Sequence, residues 1–282
     1  MELNEDILYK FATEQYPDAD IKFIGKGWGS FAFQADNKVL RFARREIKVY
    51  INDKNICDFV RDKISFPVPR IEIFEDVKYP YATHEIIPGR LWNDKYARGL
   101  AESAQDALAK DIAKFLAELH AIDASEILKI STGGHLAWEA AGPFIEEYFS
   151  AEQIDTLRNK YEKAIAVPVT DTVLCHNDFH GGNSVLDENN RLAGVFDWAN
   201  HGICERADEF RHLCNPKNPE FCDKIFDEYE KLTGVKIDRG RLMELDMMEC
   251  VGAVYWLHNM ENMEDLKSKE MKLLVDKLKN HL

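Results

Sequence analysis

No apolar run in this 282-residue chain approaches the roughly 20 residues that a membrane-spanning helix needs. The amino terminus, Met1 to Asp6, is acidic and lacks the basic and then apolar pattern of a secretory signal. Cytoplasmic residence without membrane contact is the expectation. Basic charge is also scarce: 36 Lys and Arg stand against 50 Asp and Glu, a formal net charge of −14. Nucleic acid binding draws on an excess of Lys and Arg, so the balance argues against that partner and suits a cationic small molecule. The six cysteines, Cys57, Cys175, Cys204, Cys214, Cys222 and Cys250, include no Cys-x-x-Cys pair, so neither a disulfide framework nor a zinc ribbon is indicated. His212, Cys214 and Cys222 can be imagined as metal ligands, but free cysteine is commonly a small buried hydrophobe. No Gly-Lys-Ser/Thr opens a helix, which removes a Walker A loop.

What is present organises around Val173 to Trp198. An apolar run ending at Cys175 leads into a polar loop holding His176, Asp178 and Asn183. A second run, Ser184 to Leu186, meets the turn signal Asp187-Glu-Asn-Asn190, and a third, Leu192 to Phe196, ends on Asp197. Short β-rich runs bounded by Asn, Asp and Gly read as strands and a hairpin, which brings the loop and Asp197 to neighbouring strand ends. That layout suits phosphoryl transfer. Asp178 can accept the proton of an attacking hydroxyl, while the Asn183 amide oxygen and the Asp197 carboxylate can hold the magnesium ions that neutralise phosphates. His176 and His180 are expected to support the loop.

The pattern His-x-Asp-x4-Asn with a later Asp resembles the catalytic and metal-binding loops of the protein-kinase-like superfamily. His-Asn-Asp-Phe-His-Gly-Gly-Asn followed by Phe-Asp-Trp is closer still to the aminoglycoside phosphotransferase family, and the resemblance covers nearly the whole chain. It implies an α+β, two-lobed kinase-like fold: a five-stranded antiparallel nucleotide lobe over residues 1–87 and a mainly helical catalytic lobe over 88–282. It also implies ATP or GTP as donor, Mg2+, and transfer to a hydroxyl of a small cationic acceptor. An aminoglycoside antibiotic is the first choice, with resistance as the consequence. The fold also serves macrolide, choline, homoserine and methylthioribose acceptors, and a nucleotide-binding pseudoenzyme is the alternative of a different class. A monomer is expected.

The amino-terminal part fits this outline. Asn4 caps a helix to Gln15, with Leu8, Phe11 and Ala12 on one side. Strands at 21–24, 31–35 and 39–42 follow, and the turn between the first two, Gly25-Lys-Gly-Trp-Gly-Ser30, can lay backbone amides over phosphates. Gly25, Gly27, Gly29 and Ser30 are the candidate contacts. Where the superfamily carries a Lys on the third strand this chain has Arg41, and the partnering Glu of the next helix, expected over 46–62, would be Glu46. Arg is not a conservative exchange for Lys, so either Arg41 grips the phosphates, Arg44 reaches in, or nucleotide affinity is lower. Further strands at 71–74 and 81–86 run into a hinge at Ile87-Pro88-Gly89, and the nucleotide base is expected near the backbone of Glu85 and Ile87.

From Leu91 the pattern is helical. Ile112, Phe115, Leu116 and Leu119 form a core stripe before a Leu-His-x-x-Asp ending, Gly133-Gly134 reads as a loop, and 143–161 reads as a pair of helices. Neither Phe-Gly after Asp197 nor a later Ala-Pro-Glu is present, so no peptide-holding activation segment is evident. Glu209, in a segment like the family's Asp-Pro-x-x-Asp-Leu, is a substrate candidate. So are Asp246, Glu249 and Trp256 on a late helix, which could pair ammonium groups and stack on a sugar ring.

Overall fold

The computed structural model describes residues 4–27, 29–44, 46–124, 137–213, 218–260 and 264–282, with side chains from 267 onward in the last segment. Trp28, the expected loop at Gly133 and Gly134, and Cys214 lie outside the described residues. Asn4 opens α1 (Glu5–Gln15) by accepting the Ile7 amide at 3.0 Å. Leu8 and Phe11 of α1 pack with Phe33, Leu40 and Phe42 of an antiparallel sheet. Its strands are β1 (Ile21–Lys26), β2 (Ser30–Ala35), β3 (Lys38–Ala43), β4 (Glu72–Phe74) and β5 (Tyr81–Glu85), in the order β1-β2-β3-β5-β4. Between β3 and β4 lies α2 (Lys48–Val60), shorter at both ends than the expected 46–62; Ile47 before it has no side chain that can cap.

Beyond β5 come α3 (Asp94–Arg98), α4 (Glu102–His120), α5 (Trp138–Ala141), α6 (Ala151–Ile165), α7 (Pro219–Thr233), α8 (Arg239–Asn259) and α9 (Glu264–Lys279). Two small antiparallel ladders interrupt the helices: β6 (Thr172–Cys175) pairs with β9 (Gly202–Glu205), and β7 (Ser184–Leu186) pairs with β8 (Leu192–Val195). The stripe Ile112, Phe115, Leu116 and Leu119 of α4 is fully buried, as its spacing predicts. No described helix is long and apolar enough to cross a membrane.

Two expectations need correction. Residues 143–161 are not a pair of helices: Gly142–Phe144 and Glu146–Tyr148 are single 3-10 turns. The helix restarts only at Ala151, where Ser150 and Gln153 cap each other reciprocally. Strand β9 has no counterpart among the expected strands, yet its register, Leu174 opposite Ile203, sets it beside the strand that feeds the polar loop.

Candidate active site

The loop after β6 is fixed from beneath. Phe179 and Trp198 are fully buried, with ring centroids 4.8 and 6.0 Å from that of Phe115 on α4. Both flanks of the site therefore rest on one core. His176, also fully buried, staples the flanks together. Its Nδ1 accepts the Asp178 amide at 3.3 Å, so the proton sits on Nε2, which donates to the Phe196 carbonyl at 3.1 Å. Burial pushes this imidazole down to about 4 against the opposing pull of Asp178, and it is neutral near pH 7. Two residues beside this imidazole use left-handed backbone, Asn177 at φ 65° and Asp197 at φ 64°. Asn and Asp are the non-glycine types that tolerate it.

Above this support stands Asp178. Its Oδ2 accepts from Asn183 Nδ2 at 3.0 Å, and its carbonyl accepts from the same nitrogen at 2.9 Å. Its Oδ1 lies 3.4 Å from His180 Nε2 and 3.8 Å from His212 Nε2. Because His180 Nδ1 accepts the Gly182 amide at 2.9 Å, its Nε2 carries the proton that faces the carboxylate. Burial raises the Asp178 carboxyl, but the His180 hydrogen bond and the electrostatic pull of the surrounding histidines together overcome it and hold the group below the usual carboxylate range. Asp197 joins the pair through the backbone: the Phe196 amide donates to the Asn183 carbonyl at 2.9 Å. The structure thus brings Asp178, Asn183 and Asp197 to one place.

Arg41 reaches that place from β3. Its Nη2 donates to Asp197 Oδ1 and its Nη1 to Asp53 Oδ2, each at 2.7 Å, and its guanidinium carbon lies 4.8 Å from the Tyr50 ring centroid. Asp53, fully buried on α2, also accepts the Trp198 amide at 3.1 Å. Burial pushes the Asp53 carboxyl up against the pull of Arg41. The expected partner Glu46 is exposed ahead of α2, so Asp53 takes its place in the ion pair. The signal was a carboxylate on the inward stripe Tyr50, Asp53, Ile56, Cys57 and Val60. Arg44 instead props the glycine turn: its amide donates to the Gly29 carbonyl and its Nη1 to the Gly27 carbonyl, both at 2.9 Å. Among the described residues, chain neighbours aside, no atom lies within 4 Å of where side chains on Gly25, Gly27 or Gly29 would begin. Ser30 starts β2 beside it.

Glu85 and Ile87 line a cavity of about 430 Å³ together with Val68, Thr83 and Ala193. The Glu85 carbonyl already lies 2.9 Å from His84 Nδ1, which leaves its second lone pair. The four substrate candidates are less uniform. Glu209 is 1% exposed and lies beneath the loop, its Oε2 accepting the His176 and Asn177 amides at 2.5 and 3.4 Å, so burial rules out substrate contact. Asp246 is tied to α9 and the chain end, with Lys277 Nζ at 3.6 Å and His281 Nε2 at 3.1 Å. Glu249 lies 4.0 Å from Arg211, and Trp256, two turns further along α8, is 42% exposed. Sequence reasoning missed Arg211, which donates to the Asn177 carbonyl at 3.1 Å, and the approach of His212 to Asp178.

Two oxygens of the site, Asn183 Oδ1 and Asp197 Oδ2, have no protein hydrogen-bond partner among the described residues. Hard oxygen donors of this kind fit magnesium.

A family model described as the phosphotransferase enzyme family matches residues 20–245, well over half of the chain. Solved structures share the fold at low identity. An aminoglycoside phosphotransferase of the APH(2'') type, solved with GDP and kanamycin, has 16% identity and a TM-score of 0.79, with 99% of this chain and 100% of that one covered. The ADP-bound aminoglycoside phosphotransferase APH(2'')-Ib has 21% identity and a TM-score of 0.69, with 98% of both chains covered. The macrolide 2'-phosphotransferase MphH of Brachybacterium faecium has 16% identity and a TM-score of 0.65, with 97% and 98% covered. The five-stranded sheet, the helical part behind it and the extent of the family match together place this chain in the phosphotransferase enzyme family.

Proposed function

We propose that this protein transfers the γ-phosphoryl group of a magnesium-bound nucleoside triphosphate, ATP or GTP, to a hydroxyl of a small cationic acceptor, with an aminoglycoside as first choice. The observation that carries the proposal is the grouping of Asp178, held low by its histidine neighbours, with the outward oxygens of Asn183 and Asp197. Asp178 orients the acceptor hydroxyl and takes its proton. A largely dissociative transfer asks mainly for this positioning and for charge neutralisation, so a low carboxylate pKa is no handicap. Asn183 and Asp197 would hold Mg2+, which when bound neutralises charge on the transferring phosphate. Arg41 and the turn over residues 25–30 hold the remaining phosphates, and the base enters the cavity at Glu85 and Ile87, between a lobe over 1–87 and one over 88–282.

The acidic balance of −14 supports a cationic acceptor, and so does the kanamycin complex of a structural relative. Phosphate transfer from labelled ATP and GTP, measured across aminoglycoside, macrolide, choline, homoserine and methylthioribose acceptors, tests the proposal. Transfer to an aminoglycoside supports it in full. Transfer to another acceptor overturns the substrate choice, and a panel with no transfer from either donor overturns the reaction.

A further inference from the structure

Beneath the catalytic loop lies a second group of side chains that the proposed reaction does not use. His120 ends α4, Cys175 ends β6, and Glu209 sits in the turn after β9. A ring nitrogen of His120, the Cys175 sulfur and a carboxylate oxygen of Glu209 lie within 4.8 Å of one another, and all three residues are buried. The outer atoms of this group are already committed. His120 Nδ1 is 2.7 Å from the Tyr229 hydroxyl, which accepts from Arg206 Nη1 at 2.8 Å. Glu209 Oε2 accepts the His176 amide at 2.5 Å. The other two atoms, His120 Nε2 and Glu209 Oε1, are buried and have no hydrogen-bond partner among the described residues.

A buried polar atom left unpaired costs about 1–3 kcal/mol, so two of them beside a thiol mark a place for an occupant. We propose that His120, Cys175 and Glu209 bind a divalent transition-metal cation of the zinc class, with water as the fourth ligand. Nitrogen, sulfur and carboxylate oxygen are the donors zinc takes. Outer hydrogen bonds that fix a ligand's far side, as Tyr229 and the His176 amide do here, are typical of metal centres. Coordination balances by proton release: the Cys175 thiol and the Glu209 carboxyl each lose a proton as the dication binds, giving an uncharged buried cluster. The ion is structural. It ties α4, β6 and the turn after β9 together, and through Glu209 it fixes the amides that open the catalytic loop.

The test is metal analysis of the purified full chain by mass spectrometry, with unfolding temperature measured in zinc and in chelator, magnesium being in excess throughout. The expected result is one equivalent of zinc per chain and an unfolding temperature lowered by the chelator. Cobalt in place of zinc should give a thiolate-to-metal charge-transfer band, which an oxygen-only magnesium site cannot produce. Cys175→Ala should lose the band and become insensitive to chelator. A wild-type chain that takes up neither zinc nor cobalt, with an unfolding temperature the chelator leaves unchanged, would overturn the proposal and assign the space to buried water.

Discussion

Removing the Arg41 cation probes how the proposed nucleotide side of the site is built. Its guanidinium is 13% exposed and bridges Asp53, fully buried, to Asp197, whose side chain is 39% exposed. In Arg41→Met, Asp197 can turn to water but Asp53 cannot. Stripping one partner from a buried ion pair costs about 3–5 kcal/mol, because the charge left behind is uncompensated. At roughly 2–4 °C per kcal/mol, the unfolding temperature should fall by roughly 10 °C. The loss should depend on pH. Without Arg41 the Asp53 carboxyl, already pushed up by burial, rises further above its unfolded value. Stability is then lost as pH rises through the folded value, so the deficit should be smaller at pH 5 than at pH 7. The companion Arg41→Lys keeps a charge without the fork and should recover part of the loss. Calorimetry at both pH values is the assay. A deficit under about 1 kcal/mol, or one equal at both pH values, would refute the claim that Asp53 is a buried charge neutralised by Arg41.

Three further outcomes follow from the site's backbone and burial. Asn177 sits at φ 65°, where a Cβ is strained, so Asn177→Gly should be more stable than Asn177→Ala by about 1–2 kcal/mol in chemical denaturation; Ala equal to Gly would show that the left-handed turn is absent. A methyl on Gly181 would begin 2.3 Å from the Trp92 carbonyl, so Gly181→Ala must shift the loop, with an expected loss of about 1–3 kcal/mol and lower turnover; wild-type stability would contradict the close approach. His176 is neutral when folded down to about 4, below its unfolded value of 6.5, so its contribution is present above pH 6.5 and is lost as pH falls toward 4. The advantage of wild type over His176→Gln should shrink by about 3 kcal/mol across that window, and a constant difference would argue against a buried imidazole.

The sequence made the loop legible because its chemistry is local. Asp178, Asn183 and Asp197 are separated by one hairpin, and a hairpin between turn signals leaves little freedom in where its ends lie. The five strands and the Asn4 cap were readable for the same reason. Contacts that depend on burial were not. Glu46 precedes α2 and Asp53 lies within it, and only packing shows which of them faces Arg41. Glu209 has the charge to meet an ammonium group, yet it lies under the loop and holds two amides. Asp246 likewise has its charge matched by Lys277 and His281, residues more than thirty positions away that no local pattern links to it.

The proposed transfer turns on Asp178, and the most direct measurement is turnover and nucleotide affinity of Asp178→Ala beside wild type, with the acceptor that proves active. Loss of a positioned base should lower turnover by about 10²–10⁴-fold, with the nucleotide dissociation constant nearly unchanged because Arg41, the glycine turn and the cavity at Ile87 remain. Turnover within a few-fold of wild type in that variant would contradict the account at its centre.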